Sequence, residues 1–195
     1  MCIRDRAHNG VLFLDELPEF SRNSLEALRQ PMEDGQVTIS RVHGTFSYPC
    51  SVMLVCAMNP CPCGYFGHPT RACTCTHKMA SHYLSRVSGP LLDRLDLHIE
   101  VPPVDFNDLS SAAPAEPSSE ILKRVNAARR IQQQRYEADG ISCNARLTSG
   151  LLKQHCPLTD DAAKTLRLAF ERMDLSARAY DRILKVARTL SLIHI

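Results

Sequence analysis

Nowhere in the 195 residues does an apolar run approach the roughly 20 residues that a membrane-spanning helix needs. The opening "MCIRDRAHNG" has no apolar stretch of the kind a secretory signal carries. Charge of one sign is missing too. The net charge is only +2, so the overall balance argues neither for nor against a nucleic-acid partner, and any basic surface must be local. No glycine is followed by lysine, so the phosphate-cradling loop G-x-x-x-x-G-K-[ST] is not in this sequence. No internal repeat is present. Cysteine, by contrast, is plentiful at nine residues. Without an export signal these read as thiols in a reducing cytosol, free or on metal, and not as disulfides. A hydrophobic content of 44% suffices for a core, in one domain or two small ones.

Val11 to Leu14 is a short continuous apolar run, which predicts a strand covered on both faces. Asn23 followed by Glu26 fits a capping box, and Leu25, Leu28 and Met32 give the stripe of a helix that Gly35 stops. Pro31 should kink or end that helix one turn early. "QVTISRVHGTFSYP" reads as a hairpin turning near His43 and Gly44, with Val37 and Ile39 on one face. "SVMLVCAMN" predicts a second buried strand from Ser51 to Met58. "ASHYLSRVSGPLLDR" reads as helical up to Gly89, and the alternation of Leu95, Leu97, Ile99 and Val101 as a half-buried strand. Residues 103–118, poor in core residues, read as a linker. Beyond it the pattern is helical. Ile121, Leu122, Val125 and Ile131 follow a serine cap. Thr159 is the expected cap of a second helix, and Ser176 of a third carrying Tyr180, Ile183, Leu184 and Ala187.

In open α/β sheets ligands sit beyond the carboxyl ends of strands, where Asp15 and Glu16 fall. An acid there can hold Mg²⁺ against nucleotide phosphates, and its neighbour can orient or deprotonate a water. Against that stands a strand end that simply enters a solvated loop. Asn59 ends the second strand, where its amide can bond a phosphate oxygen or the same water; Asn-Pro is otherwise an ordinary turn. "CPCGYFGHPTRACTC" places Cys61, Cys63, Cys73 and Cys75 as two C-x-C pairs. Four thiolates can make a closed, structural zinc site, with His68 and His77 as substitute ligands, although C-x-C is tighter than the usual spacing. The other reading is free thiols in a polar loop. Cys50, Cys56, Cys143 and Cys156 read as small buried hydrophobes.

"GVLFLDELPEF", "LRQPMEDGQVTISR", "CAMNPCPCG", "SGPLLDRLDLHIEVPPV" and "SARAYDRILKVART" together resemble, in order, the magnesium-chelatase-like AAA+ ATPases, and most of all their ComM/YifB competence-protein group. The resemblance runs from about Ala7 to Thr189. It implies an α/β fold: a truncated AAA+ (P-loop NTPase) parallel-sheet core over residues 7–102, then a small all-α lid over 119–190. It further implies ATP and Mg²⁺, with Asp15 as the Mg²⁺ partner, Glu16 as the catalytic carboxylate and Asn59 as sensor 1. Arg94 matches the arginine finger that acts on a neighbouring subunit's nucleotide; an ion pair with Asp93 or Asp96 is the plainer alternative. Arg178 matches the sensor 2 arginine, at a helix start where anions are favoured, with a solvated surface arginine as its alternative. The hairpin corresponds to one directed at a central pore, where Arg41 and His43 would meet DNA phosphates.

The resemblance implies a cytoplasmic bacterial protein assembled as a hexameric ring that couples ATP hydrolysis to DNA remodelling, with branch migration in natural transformation as the leading case. Two alternatives stand beside it: a magnesium-chelatase motor subunit inserting Mg²⁺ into a porphyrin, and a non-catalytic zinc-stabilised DNA-binding module. The four-cysteine insert favours the ComM/YifB side over the chelatase. With the phosphate loop absent, the core is expected to be truncated and the isolated chain inactive. Residues 1–6 and 191–195 fit the family pattern poorly and are expected to be foreign sequence.

Overall fold

The computed structural model describes residues 6–41, 44–104 and 115–193, for Arg41 and Ile193 the backbone only. Residues 1–5 of the expected leader, His43, most of the expected linker and the last two residues lie outside the described residues. The chain divides into two compact units, Met1–Pro103 and Val104–Ile195.

In the first unit the strands are β1 (Val11–Leu14), β2 (Gln36–Arg41), β3 (Gly44–Pro49) and β4 (Met53–Cys56). β1 and β4 pair in parallel, from Val11↔Met53 to Leu14↔Cys56, and β2 and β3 form the antiparallel hairpin. The parallel strand pair is therefore as expected, although β4 is shorter than 51–58. One face of it packs: Leu12 is buried with Leu17, Leu25, Leu28, Val87 and Leu91, and Leu14, Leu54 and Cys56 lie against them. The other face does not. Val11, Phe13 and Met53 are 60%, 57% and 58% exposed, so the expected cover on both faces is absent among the described residues.

Helix starts differ from expectation where two polar residues compete to cap. α1 (Arg22–Glu26) is capped by Ser21, whose Oγ accepts from Ser24 N at 3.2 Å, and Asn23 lies inside the helix. Glu26 instead bonds Arg29 at 2.5 Å and accepts from Ser88 Oγ at 2.9 Å. The helix breaks at Ala27 and Leu28, and Pro31 sits in the first turn of α2 (Arg29–Asp34), where its missing N–H is no loss. Gly35 ends α2 at φ 65°, a left-handed position that glycine takes without penalty. α3 (His77–Leu84) starts from the Thr76 cap and stops well before Gly89, where α4 (Gly89–Leu92) begins. Residues 95–101 form no strand, and Leu97, Ile99 and Val101 are 62%, 79% and 81% exposed. Alternation specifies a face, but a strand also needs a neighbour to complete its ladder, and this segment joins neither sheet among the described residues.

The second unit is helical: α5 (Ser118–Arg135), α6 (Ser149–His155), α7 (Asp160–Met173) and α8 (Ala177–Ile193). Thr159 and Ser176 cap as expected, accepting from Ala162 N and Ala179 N at 3.3 Å each. The serine cap of α5 is not formed; Pro117 occupies that place without a side-chain bond. Its expected stripe of Ile121, Leu122, Val125 and Ile131 is exposed, and Ala128 and Gln132 are the buried positions. The core gathers Tyr136, Leu147, Leu152, Cys156 and Leu184. A buried polar chain runs through it: Tyr136 donates to Asn144 Oδ1 at 2.5 Å, Asn144 N donates to Gln132 Oε1 at 2.8 Å, and Asn144 Nδ2 donates to Thr189 Oγ1 at 2.8 Å. α8 runs on through Leu192, which is buried. No described helix is long and apolar enough to cross a membrane.

Candidate functional site

The parallel ladder continues past both strands, with Ala57 N donating to Leu14 O at 2.9 Å and Leu17 N to Ala57 O at 3.0 Å. This locks the carboxyl end of β1 beside that of β4 and brings Asp15 and Glu16 to the same edge as Asn59. Leu17 and Pro18 are buried at the root of the following turn, while both acids stay exposed. Glu16 adopts φ 51°, ψ 48°, a left-handed conformation that costs a non-glycine residue about 1–3 kcal/mol. Its N–H donates to Asp15 Oδ1 at 2.9 Å. The strand end therefore holds its two carboxylates in a fixed backbone turn and presents them to solvent. Hard oxygen donors at an open edge suit Mg²⁺, which keeps several of its waters.

Tyr83 and Arg86, which sequence reasoning missed, border this edge. Arg86 reaches Glu19 at 3.1 Å and Pro18 O at 3.4 Å. Burial first, then the charges of Glu19 and Glu16, push the Tyr83 phenol up.

The cysteine loop starts from the same edge. A Cβ at Gly64 would come 3.9 Å from Asn59 Oδ1, so the amide lies against the loop's first turn. The Sγ atoms of Cys61, Cys63, Cys73 and Cys75 all fall within 4.8 Å of one another. Cys61 to Cys63, Cys63 to Cys73 and Cys61 to Cys73 measure 3.4, 3.5 and 3.8 Å. A zinc ion with Zn–S bonds of about 2.3 Å needs tetrahedron edges of about 3.8 Å, so these donors fit a four-thiolate site. Backbone N–H donation, led by Tyr65, holds the Cys63 thiol down at about 5, and burial pushes Cys73 up to about 12. Neither histidine joins the cluster. His68 Nδ1 accepts from Thr70 N and Arg71 N at 3.2 and 3.1 Å, and His77 packs its ring on Phe66. The cysteines expected as core divide: Cys50 and Cys156 are buried, Cys56 and Cys143 only half-buried, and none of the four is in a disulfide.

Arg94 pairs with neither Asp93 nor Asp96 in an ion pair. Its guanidinium donates to Glu33 of α2 and to Pro90 O, with the side chain only 9% exposed and Nε buried without a partner. Serving a neighbouring subunit would require it to leave Glu33. That partner lies 61 positions away along the chain, and nothing local in the sequence marks it. Arg178 stands exposed in the first turn of α8, in the second unit.

Parallel strands that end in an acidic pair and an amide, followed by a helical unit, fit the magnesium-chelatase-like AAA+ class, which the family models identify. The family model described as "Magnesium chelatase, subunit ChlI" matches residues 4–109, and that for "Magnesium chelatase, subunit ChlI C-terminal" matches 115–193. The chain belongs to this family. It is 44% identical over 187 residues to the uncharacterized protein YifB of Salmonella typhimurium and 45% identical over 187 residues to that of Escherichia coli, covering 95% of this chain and 36% of each relative. It is 44% identical over 191 residues to the competence protein ComM of Haemophilus influenzae, covering 95% of this chain and 35% of that protein. The chain thus spans about a third of the length of these relatives.

Proposed function

We propose that the chain is part of a ring-forming cytoplasmic bacterial ATPase that couples ATP hydrolysis to DNA remodelling. What carries the reading is the turn at the end of β1, where Glu16 is held left-handed beside Asp15 on the edge shared with Asn59. In this reading Asp15 would hold Mg²⁺, Glu16 would orient and deprotonate the attacking water, and Asn59 would position the water or a phosphate oxygen. Arg94 would reach the neighbouring subunit's nucleotide, and Arg178 would contact phosphate from the helical unit. The likeness to a competence protein supports a DNA task. The four cysteines would hold a structural Zn²⁺ whose coordination leaves no open position.

The test is ATP turnover by the complete protein. Glu16→Gln keeps the size of the side chain and removes the base, and a loss of about 10²–10⁴-fold is expected. Unchanged turnover would refute the role given to Glu16. The cysteine cluster also favours a second reading, a zinc-stabilised DNA-binding module without catalysis. A complete protein that binds DNA and zinc but hydrolyses no ATP would establish that reading instead.

A further inference from the structure

The chain holds 21 acidic residues, yet not one lies between Asp34 and Asp93. That stretch contains the hairpin, β4, the whole cysteine loop and α3. Its local charge is therefore positive although the chain as a whole is nearly balanced.

Within the loop the cations and rings are interleaved. Arg71 donates from Nη1 to Tyr65 Oη at 2.8 Å and lies 5.3 Å from the centre of the same ring. His68 meets Tyr65 edge to face at 5.7 Å, and His77 meets Phe66 in the same manner at 5.8 Å. Phe66 is 41% exposed, and Arg71, His77 and Lys78 are exposed. Four thiolates on a dication would leave two negative charges at the base of the loop. Between Cys63 and Cys73 the loop carries Tyr65, Phe66, His68 and Arg71 and no acid. A half-exposed ring backed by a second ring, on a loop that also carries an exposed guanidinium and leads into an exposed ammonium, suits a ligand that alternates flat apolar faces with negative charge. Single-stranded nucleic acid does so, because unpaired bases stack on aromatic side chains while the backbone follows basic groups.

We infer that the cysteine loop is a single-strand contact surface, with Phe66 stacking an unpaired base and Arg71 and Lys78 meeting the adjacent phosphates. This rests on the DNA reading above but places a contact outside the pore-directed hairpin.

The test is fluorescence anisotropy of a labelled single-stranded oligonucleotide against the 195-residue chain over a range of salt. Phe66→Ala should weaken binding about 5- to 100-fold, and Phe66→Trp should restore it. Arg71→Gln with Lys78→Gln should lower the slope of log affinity against log salt by about 1.4, since each phosphate contact contributes about 0.7 for a single strand. This charge variant alters only exposed side chains, so it keeps the proposal testable should Phe66→Ala fail to fold by circular dichroism. Strong binding that neither set of substitutions changes removes this inference and leaves the DNA reading on the hairpin. No binding at low salt also removes it, and the DNA reading then depends on DNA-stimulated ATP turnover in the complete protein. Displacement by polyglutamate as effective as by unlabelled oligonucleotide overturns it in favour of an acidic-peptide surface.

Discussion

Arg94 shows how much a single side chain can be asked to do. Its guanidinium is nearly buried against Glu33 and Pro90 O, and an ion pair in that setting is costly to break from one side only. Glu33→Gln leaves the buried charge with a weaker partner and is expected to destabilise the first unit by about 1–3 kcal/mol, read by urea unfolding. Arg94→Lys separates the two roles in the complete protein, because an ammonium keeps the charge but not the planar fork. Loss of ATP turnover in Arg94→Lys, with turnover largely kept in Glu33→Gln, is the expected pattern for a residue that acts on a neighbour's nucleotide. Losses that simply track stability would make Arg94 a strut and nothing more. At this scale the sequence was legible where the chemistry is local. Thr159 and Ser176 cap helices because a hydroxyl three residues before an N–H needs no help from the fold. Glu33 was not legible, since only the folded chain brings it to Arg94.

The elements divide along the same line. β1, the hairpin and the capped helices α7 and α8 follow from periodicity and turn chemistry, and the four cysteines stand out as two C-x-C pairs. Residues 95–101 alternate well and still form no strand, because pairing is a property of two segments. The α5 stripe likewise reads as a core face but lies exposed. The loop between β4 and α3 carries no periodicity at all; local bonds of His68 and Arg71 order part of it, and in the proposed reading metal coordination would hold the rest. Metal analysis should find one zinc per chain. Removing it with a strong chelator, or changing Cys73→Ser, should lower the thermal midpoint of the first unit by at least several degrees, since structural zinc contributes folding free energy directly. A chain that contains no zinc and is indifferent to chelator would return these thiols to an ordinary polar loop.

Each unit of the whole molecule has its own core, one around Leu17, Leu25 and Leu91 and the other around Tyr136, Leu152 and Leu184. Calorimetry should therefore resolve two transitions. Leu152→Ala should cost about 2–5 kcal/mol and move only one of them; a single transition that shifts as a whole would show one cooperative unit. The nesting of the hairpin inside the parallel pair bears on how quickly the first unit assembles. β1 must wait for a strand that begins at Met53, and such distant pairing pays its loop-closure entropy in advance. The hairpin lies within that loop and forms on its own in about 1–10 μs. Its base is closed by Cys50 N donating to Gly35 O at 2.7 Å, which shortens the chain still to be gathered. Thr38→Gly, which removes the hydroxyl pair with Ser47, should then slow refolding and leave the unfolding rate nearly unchanged, whereas faster unfolding at an unaltered refolding rate would place the hairpin late. A segment proposed to face a pore would thus also set the pace at which the edge carrying Asp15, Glu16 and Asn59 comes together.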